Sequence, residues 1–181
     1  APPTPWYWAR PWPGPWGALR LPAGLGPPFG PAQGTPFESA HGKRCAGVYT
    51  PIVTPFTSAD VIDEKGLAAN VTRWMTTPLT GLVVLGSNGE APQLEDAEAD
   101  RAIEIVRAGM PKDRPLIAGT GRESTKATIE ATNRAAALGA DAALVRTPSF
   151  FKNAMTSDVF IRHYAEVADA AVFLLSAAGR G

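Results

Sequence analysis

From Ala46 onward the chain alternates between short apolar runs and longer stretches with helical spacing. Gly81 to Leu85 is an unbroken apolar run, GLVVL, of the kind found in strands covered on both faces. Further strands are expected at about Gly47 to Val53, Pro115 to Ala118, Ala142 to Arg146 and, at the end, Val172 to Leu175. Between them the apolar positions recur every three or four residues, which predicts amphipathic helices. The first helix is expected over Glu64 to Met75, with Asp63 as N-cap and Leu67, Val71 and Trp74 on its buried face. The second is expected over Glu95 to Gly109, with acids in its first turn and Ala99, Ala102, Ile103, Val106 and Met110 as its buried stripe. Ser124 is placed to cap a third, Thr125 to Leu138, that Gly139 ends. A fourth, from Ser157 to about Ala168, is expected to bury Phe160, Tyr164 and Val167. The order βαβαβαβαβ with short connections implies parallel strands joined by right-handed crossovers. An open doubly wound sheet and a closed barrel both satisfy that pattern.

Residues 1–44 have no such period. Eleven of the 18 prolines and four of the five tryptophans lie before residue 40. Proline fixes φ and removes a donor, so neither a helix nor a central strand persists through APPTPWYWARPWPGPWGALR. The segment is expected to be a disordered or partly polyproline-like extension, with 45–181 as the folded part. It reads as a translated leader or a non-native extension. The alternatives are docking into an aromatic groove and, from Arg10 and Arg20, an organelle transit peptide.

Composition narrows the classes of function. At 181 residues and 45% hydrophobic the chain is long enough for one domain with a core. Lys plus Arg equals Asp plus Glu at 17 each, so no net charge steers it to nucleic acid or to an anionic membrane. No apolar run approaches the roughly 20 residues that cross a bilayer. The single cysteine, Cys45, excludes an internal disulfide and reads as a passive thiol. Two histidines, His41 and His163, do not make a metal site, and no cofactor is called for.

The chemistry is concentrated after the second strand. Gly86-Ser87-Asn88-Gly89-Glu90 places a hydroxyl and an amide between two glycines at the carboxyl end of a buried strand, where α/β proteins bind ligands. With TPF (Thr54 to Phe56) upstream, AGTG (Ala118 to Gly121) after it and TPSFF (Thr147 to Phe151) later, GSNGE resembles the dihydrodipicolinate synthase and N-acetylneuraminate lyase family. Within that family it looks most like the 4-hydroxy-2-oxoglutarate aldolase-like branch. The resemblance covers about Ala46 to Leu175 and decides for the (β/α)8 barrel. A typical barrel needs about 250 residues. The matching stretch therefore corresponds to the first four βα units and the fifth strand.

The resemblance implies a class I aldolase or lyase that acts on pyruvate or another 2-oxo acid. A lysine amine condenses with the ketone, and the iminium serves as electron sink. The family carries that lysine at the end of the sixth strand. None of Lys43, Lys65, Lys112, Lys126 and Lys152 stands at that position, although Lys152 lies on the correct face. The family's tyrosine after strand five is replaced here by Ser176, followed by AAGRG. On this reading the chain is a fragment, from truncation or a misjoined frame, that lacks the nucleophile and is inactive alone.

By the same resemblance Ser87 supplies the hydroxyl of a proton relay, and Ser87 and Asn88 offer donors to the substrate carboxylate. Backbone N–H groups of a Gly-flanked loop hold an anion without a cation. The bland alternative is that both residues satisfy a turn. Glu90 reads as a carboxylate that ties down loop backbone rather than as a general base. Phe150 and Phe151 stand where many family members carry tyrosine that reaches a neighbouring subunit; lacking a hydroxyl, they are expected to pack. A homo-oligomer is expected, or, as a rival function, a non-catalytic half-barrel that associates with a full-length homologue. A cytoplasmic or mitochondrial location fits either. An open-sheet nucleotide binder is disfavoured, because no G-x-G-x-x-G opens a helix after the first strand and no P-loop lysine is present.

Overall fold

The structure, a computed structural model, describes residues 47–170 and the backbone of Leu175–Ser176. The proline-rich extension, Cys45, Lys43, His41 and the residues just before and after the fifth strand lie outside the described residues.

Among the described residues five strands form one sheet: β1 (Tyr49–Pro51), β2 (Gly81–Val84), β3 (Leu116–Gly119), β4 (Ala142–Val145) and β5 (Leu175–Ser176). Four helices connect them: α1 (Glu64–Met75), α2 (Asp96–Gly109), α3 (Thr125–Ala137) and α4 (Ser157–Ala170). The strands lie in the order β1-β2-β3-β4-β5, and every neighbouring pair is parallel. This order resolves the ambiguity left by the sequence. A doubly wound sheet reverses direction and places helices on both faces. Here each crossover steps the same way, so the helices share one face, as in an arc of a barrel.

Strand alternation shows which face that is. Leu82, Val84, Leu116 and Ala118 are at most 1% exposed and share a cluster with Leu67 and Val71 of α1 and Ala99, Ala102, Ile103 and Val106 of α2. Each of the larger side chains contributes about 1.5–3 kcal/mol by leaving water. On the opposite face Pro51 is exposed and Val83 and Leu144 are half-buried, while Ile117, beside Val83, is buried. The inner face of the arc is thus incompletely covered by the described residues.

The helix ends follow the sequence. Asp63 accepts from the Gly66 amide at 2.9 Å, and Ser124 accepts from the Ala127 amide at 3.1 Å. Glu95 and Glu98 form a reciprocal capping box at the start of α2. Two packing expectations fail. Trp74 is 38% exposed, whereas α1 buries Leu67 and Val71 and packs Ala68 and Met75 against the same cluster. In α4, Val167 is buried and Phe160 and Tyr164 are half-buried, while His163, at 4% exposure, takes the second fully buried place.

At the amino ends of the strands the loops are held by a polar cluster. Asp141 Oδ2 accepts from the Leu116 amide at 2.9 Å and from Arg107 at 3.2 Å. Arg107 also donates to the Pro111 carbonyl at 2.7 Å, and Arg114 donates to the carbonyls of Thr77 and Leu79. These bonds fix one end of the arc and leave the other end to the site.

Candidate functional site

Strand β2 ends in a sharp change of direction. Leu85 has φ of 58°, a left-handed conformation that a branched residue seldom adopts. Gly86 is extended, and Ser87–Gly89 forms a 3-10 turn. Glu90 is again left-handed, at φ 53°, and leads into a second 3-10 turn, Ala91–Gln93. Ser87 and Asn88 open the first turn, at positions whose N–H groups have no partner within it. Both residues are exposed.

Neighbouring loops hold this turn from two sides. The buried hydroxyl of Thr54 donates to the Gly89 carbonyl at 2.8 Å, which joins the TPF loop to GSNGE. On the other side, the AGTG glycines allow close approach. A Cβ on Gly119 would collide with the Leu85 carbonyl oxygen, and one on Gly121 would lie 2.6 Å from the Arg146 amide nitrogen. The motifs recognised separately in the sequence are therefore one contiguous structure at the carboxyl ends of β1 to β4.

A cleft of about 230 Å³ opens there, lined by Leu85, Gly86, Ser87, Ala91, Pro92, Gly119, Gly121, Arg122, Leu144 and Arg146. Ser87 lines it, whereas Asn88 does not. Two arginines do so without having been foreseen. Arg122 pairs with Asp96 at 3.0 Å, and the Arg122 guanidinium holds that carboxyl below its ordinary range, helped by Arg134 and opposed by burial. Arg146 pairs with Glu123 at 2.9 Å.

Glu123, not Glu90, is the carboxylate that ties down loop backbone. Its Oε2 accepts from the amides of Ser149 at 2.9 Å and Phe150 at 3.0 Å. Partial burial opposes its ionisation, but the Phe150 and Ser149 amides and Arg146 outweigh it and hold the carboxyl below its ordinary value. The left-handed turn at Glu90 leaves that side chain exposed, with no hydrogen bond among the described residues. Phe150 and Phe151 also depart from expectation. They are 76% and 68% exposed and touch each other edge to face, with ring centres 4.9 Å apart, instead of packing into a core.

The described lysines, Lys65, Lys112, Lys126 and Lys152, are all exposed, and none lines the cleft. Lys152 begins a 3-10 turn, Lys152–Ala154, beyond the aromatic pair. Ser176 lies in β5 and pairs with Val145. Among the described residues no group of three or more His, Cys, Asp or Glu is arranged to hold a metal ion. No helix among them is long and apolar enough to cross a membrane.

A parallel arc wound in one direction, with its helices outside and its cleft at the strand carboxyl ends, defines the class as a (β/α)8-barrel protein. Comparison with known proteins carries this to the family. The sequence profile of the Dihydrodipicolinate synthetase family matches residues 44–174, and the chain belongs to that family. It is 38% identical over 127 residues to the 4-hydroxy-tetrahydrodipicolinate synthase of Protochlamydia amoebophila, across 70% of this chain and 42% of that protein. A crystal structure of a dihydrodipicolinate synthase family protein from Coccidioides immitis matches with TM-score 0.68 at 31% identity, over 72% of this chain and 42% of that one. The dihydrodipicolinate synthase of Acinetobacter baumannii, solved with pyruvate, matches with TM-score 0.66 at 35% identity, over 72% of this chain and 44% of that one. The chain thus spans less than half the length of the relatives it matches.

Proposed function

We propose that this chain supplies the first-half elements of a carbon–carbon lyase site that acts on pyruvate or another 2-oxo acid through a lysine Schiff base. The observation that carries the reading is the exposed Ser87 hydroxyl, set in a braced turn on the wall of a cleft at the carboxyl ends of β2 to β4. A relative solved with pyruvate supports the substrate class. In this reading the N–H groups at Ser87 and Asn88 bind the substrate carboxylate, and the Ser87 hydroxyl passes a proton to and from the reacting carbon or its oxygen. Asn88 acts through its backbone, consistent with its side chain lying off the cleft wall. The amine that forms the iminium comes from outside the described residues, since no described lysine reaches the cleft. The identity of the acceptor, which separates the aldolase-like branch from the synthases, depends on groups beyond those described.

A second reading rests on the incompletely covered inner face, where Pro51 is exposed and Val83 and Leu144 are half-buried. There the chain is a non-catalytic partner that packs against a full-length homologue, and the exposed Phe150–Phe151 edge adds to the contact. Trapping with borohydride in the presence of pyruvate separates the two. A polypeptide that completes the barrel around this segment should retain pyruvate's mass on one lysine. A completed barrel that is folded yet takes up no pyruvate overturns the lyase reading and leaves the partner reading.

A further inference from the structure

Helix α4 meets the sheet through buried Val167, which joins Ala143 and Val145 in a small cluster apart from the main core, and through half-buried Tyr164, whose hydroxyl donates to the Val145 carbonyl at 3.4 Å. One polar side chain is buried on the same helix: His163, 4% exposed. Its Nδ1 lies 2.9 Å from Thr125 Oγ1, at the first position of α3. Its Nε2 is enclosed without a hydrogen-bond partner among the described residues. A cavity of about 140 Å³ lies against the ring, between the start of α3 and α4.

A neutral imidazole has one N–H and one lone pair, so the Thr125 bond leaves one position unmet. An imidazolium has two donors and a charge to satisfy. The groups that face it offer little net compensation. From the loop just before α3 comes Glu123, already bonded to Arg146 and to two loop amides. From α4 itself come Arg162 and Glu166, which are opposite in sign. The loop after β4 contributes only Pro148 and Met155, and the nearby sheet residues are apolar. Burial pushes the imidazole below its ordinary value of 6.5, and Glu166 offsets this only in part.

We propose that His163 and Thr125 form a pH-sensitive clamp: the neutral ring holds α4 to the start of α3, and protonation releases the helix. The direction follows from linkage. A released histidine takes up its proton near 6.5, while the clamped one does so only at lower pH. The clamp therefore contributes fully above 6.5 and weakens as pH falls from there through the clamped value. Because α4 rests on a small separate cluster, it opens locally before the main core does. The loop between β4 and α4 carries Phe150 and Phe151, so its α4 end loosens while Glu123 still holds its other end.

The test is amide hydrogen exchange on the full chain from about pH 7.5 to about pH 5, corrected for intrinsic rates. Protection over Ser157–Ala170 should fall relative to α1 and α2, by up to roughly tenfold per pH unit once below the released value. His163→Asn keeps a polar group beside Thr125 but does not titrate, and should remove the pH dependence. His41→Asn controls for the other histidine and should leave it intact. Thr125→Val, which keeps the ring and its shape-complementary neighbour, should lower α4 protection already at the neutral end. An NMR titration of the unaltered chain should place the His163 midpoint below that of a free histidine. The clamp is overturned by α4 protection that ignores pH, by equal pH dependence in His163→Asn, or by protection unchanged in Thr125→Val. It is equally overturned by a raised His163 midpoint with α4 protection rising in acid, which would mean that Nε2–H has found Glu166. None of these readouts depends on lyase activity, so failure here leaves the proposed function standing.

Discussion

The Thr54 hydroxyl donates to the Gly89 carbonyl across 2.8 Å, and this one bond fixes the turn that presents Ser87 relative to the loop after β1. Thr54 is 5% exposed and Gly89 is buried, so the carbonyl has no ready access to water. Thr54→Val keeps the shape and removes the donor. It should cost about 1–3 kcal/mol in chemical denaturation, because a buried acceptor is left unmet. Thr54→Ser should recover most of that loss. Equal stability of the valine and serine variants would show that the bond does not hold the turn.

Gly119 gives a steric counterpart. A methyl group there meets the Leu85 carbonyl, which belongs to a left-handed residue with little freedom to move. Gly119→Ala should destabilise the fold by about 1–3 kcal/mol or more, in line with overpacking in a tight interior. A crystal structure of the variant should show Leu85 and Gly86 displaced from Gly119. A variant as stable as the parent, with Leu85 unmoved, would remove the close-packing explanation for the AGTG motif.

At the opposite end of the strands, Asp141 serves both the Leu116 amide and Arg107, and the side chains of this ion pair are each 18% exposed. Asp141→Ala leaves a strand amide and a guanidinium without that acceptor. The expected cost is about 2 kcal/mol, with faster exchange of the Leu116 amide. A change within about 0.5 kcal/mol, the range of ordinary surface substitutions, would reduce the cluster to a surface feature.

Much of the arc was legible because its elements are locally consistent. The apolar run at Leu82 to Leu85, the cap at Asp63 and the stripe from Ala99 to Val106 each carry their own signal, and the helices lie within a residue or two of the expected limits. The winding direction was not legible from the βα alternation, since both barrel and open sheet share it; the resemblance decided it, and the strand order agrees. Side-chain connections across the chain were also hidden. The Thr54–Gly89 bond spans 35 residues and the Glu123–Phe150 bond spans 27, so no local pattern marks either. Glu90 drew notice because it sits in the motif. Glu123 does the tying because α3 begins beside the loop after β4. Buried His163 was equally invisible: an isolated polar residue among helical spacings reads as a surface position.

Glu123 provides a pH test of the loop. Its carboxyl titrates below its ordinary value in the folded chain, so its contribution is present above the unfolded value. That contribution is lost as pH falls through the folded one. In acid the Ser149 and Phe150 amides should exchange faster as the acceptor becomes protonated. Glu123→Gln should show fast exchange at both amides at neutral pH, and the acid-dependent step there should disappear. A step that survives in Glu123→Gln would have to come from another group.

The last prediction concerns Ser87 and the chemistry itself. Ser87 lines the cleft at the end of β2, in a turn braced by Thr54 through Gly89 and allowed close approach by Gly119. Its own side chain is exposed and makes no hydrogen bond among the described residues, so Ser87→Ala removes a hydroxyl without removing a structural bond. In a polypeptide that completes the barrel, the variant should fold and unfold like its parent. It should still trap pyruvate with borohydride, because the iminium forms on a lysine elsewhere. Turnover should fall by about 10²–10⁴, the usual contribution of a positioned proton-transfer group. The present chain alone should retain no pyruvate on Lys152. That lysine is exposed in the turn after Phe151 and does not line the cleft, so it is not placed to meet a substrate carbonyl held there. Trapping and turnover thus separate two claims. Loss of trapping in Ser87→Ala would move the serine from proton transfer to substrate binding. Full turnover in Ser87→Ala would end the relay role, and a stoichiometric adduct on Lys152 would relocate the amine to this half of the barrel.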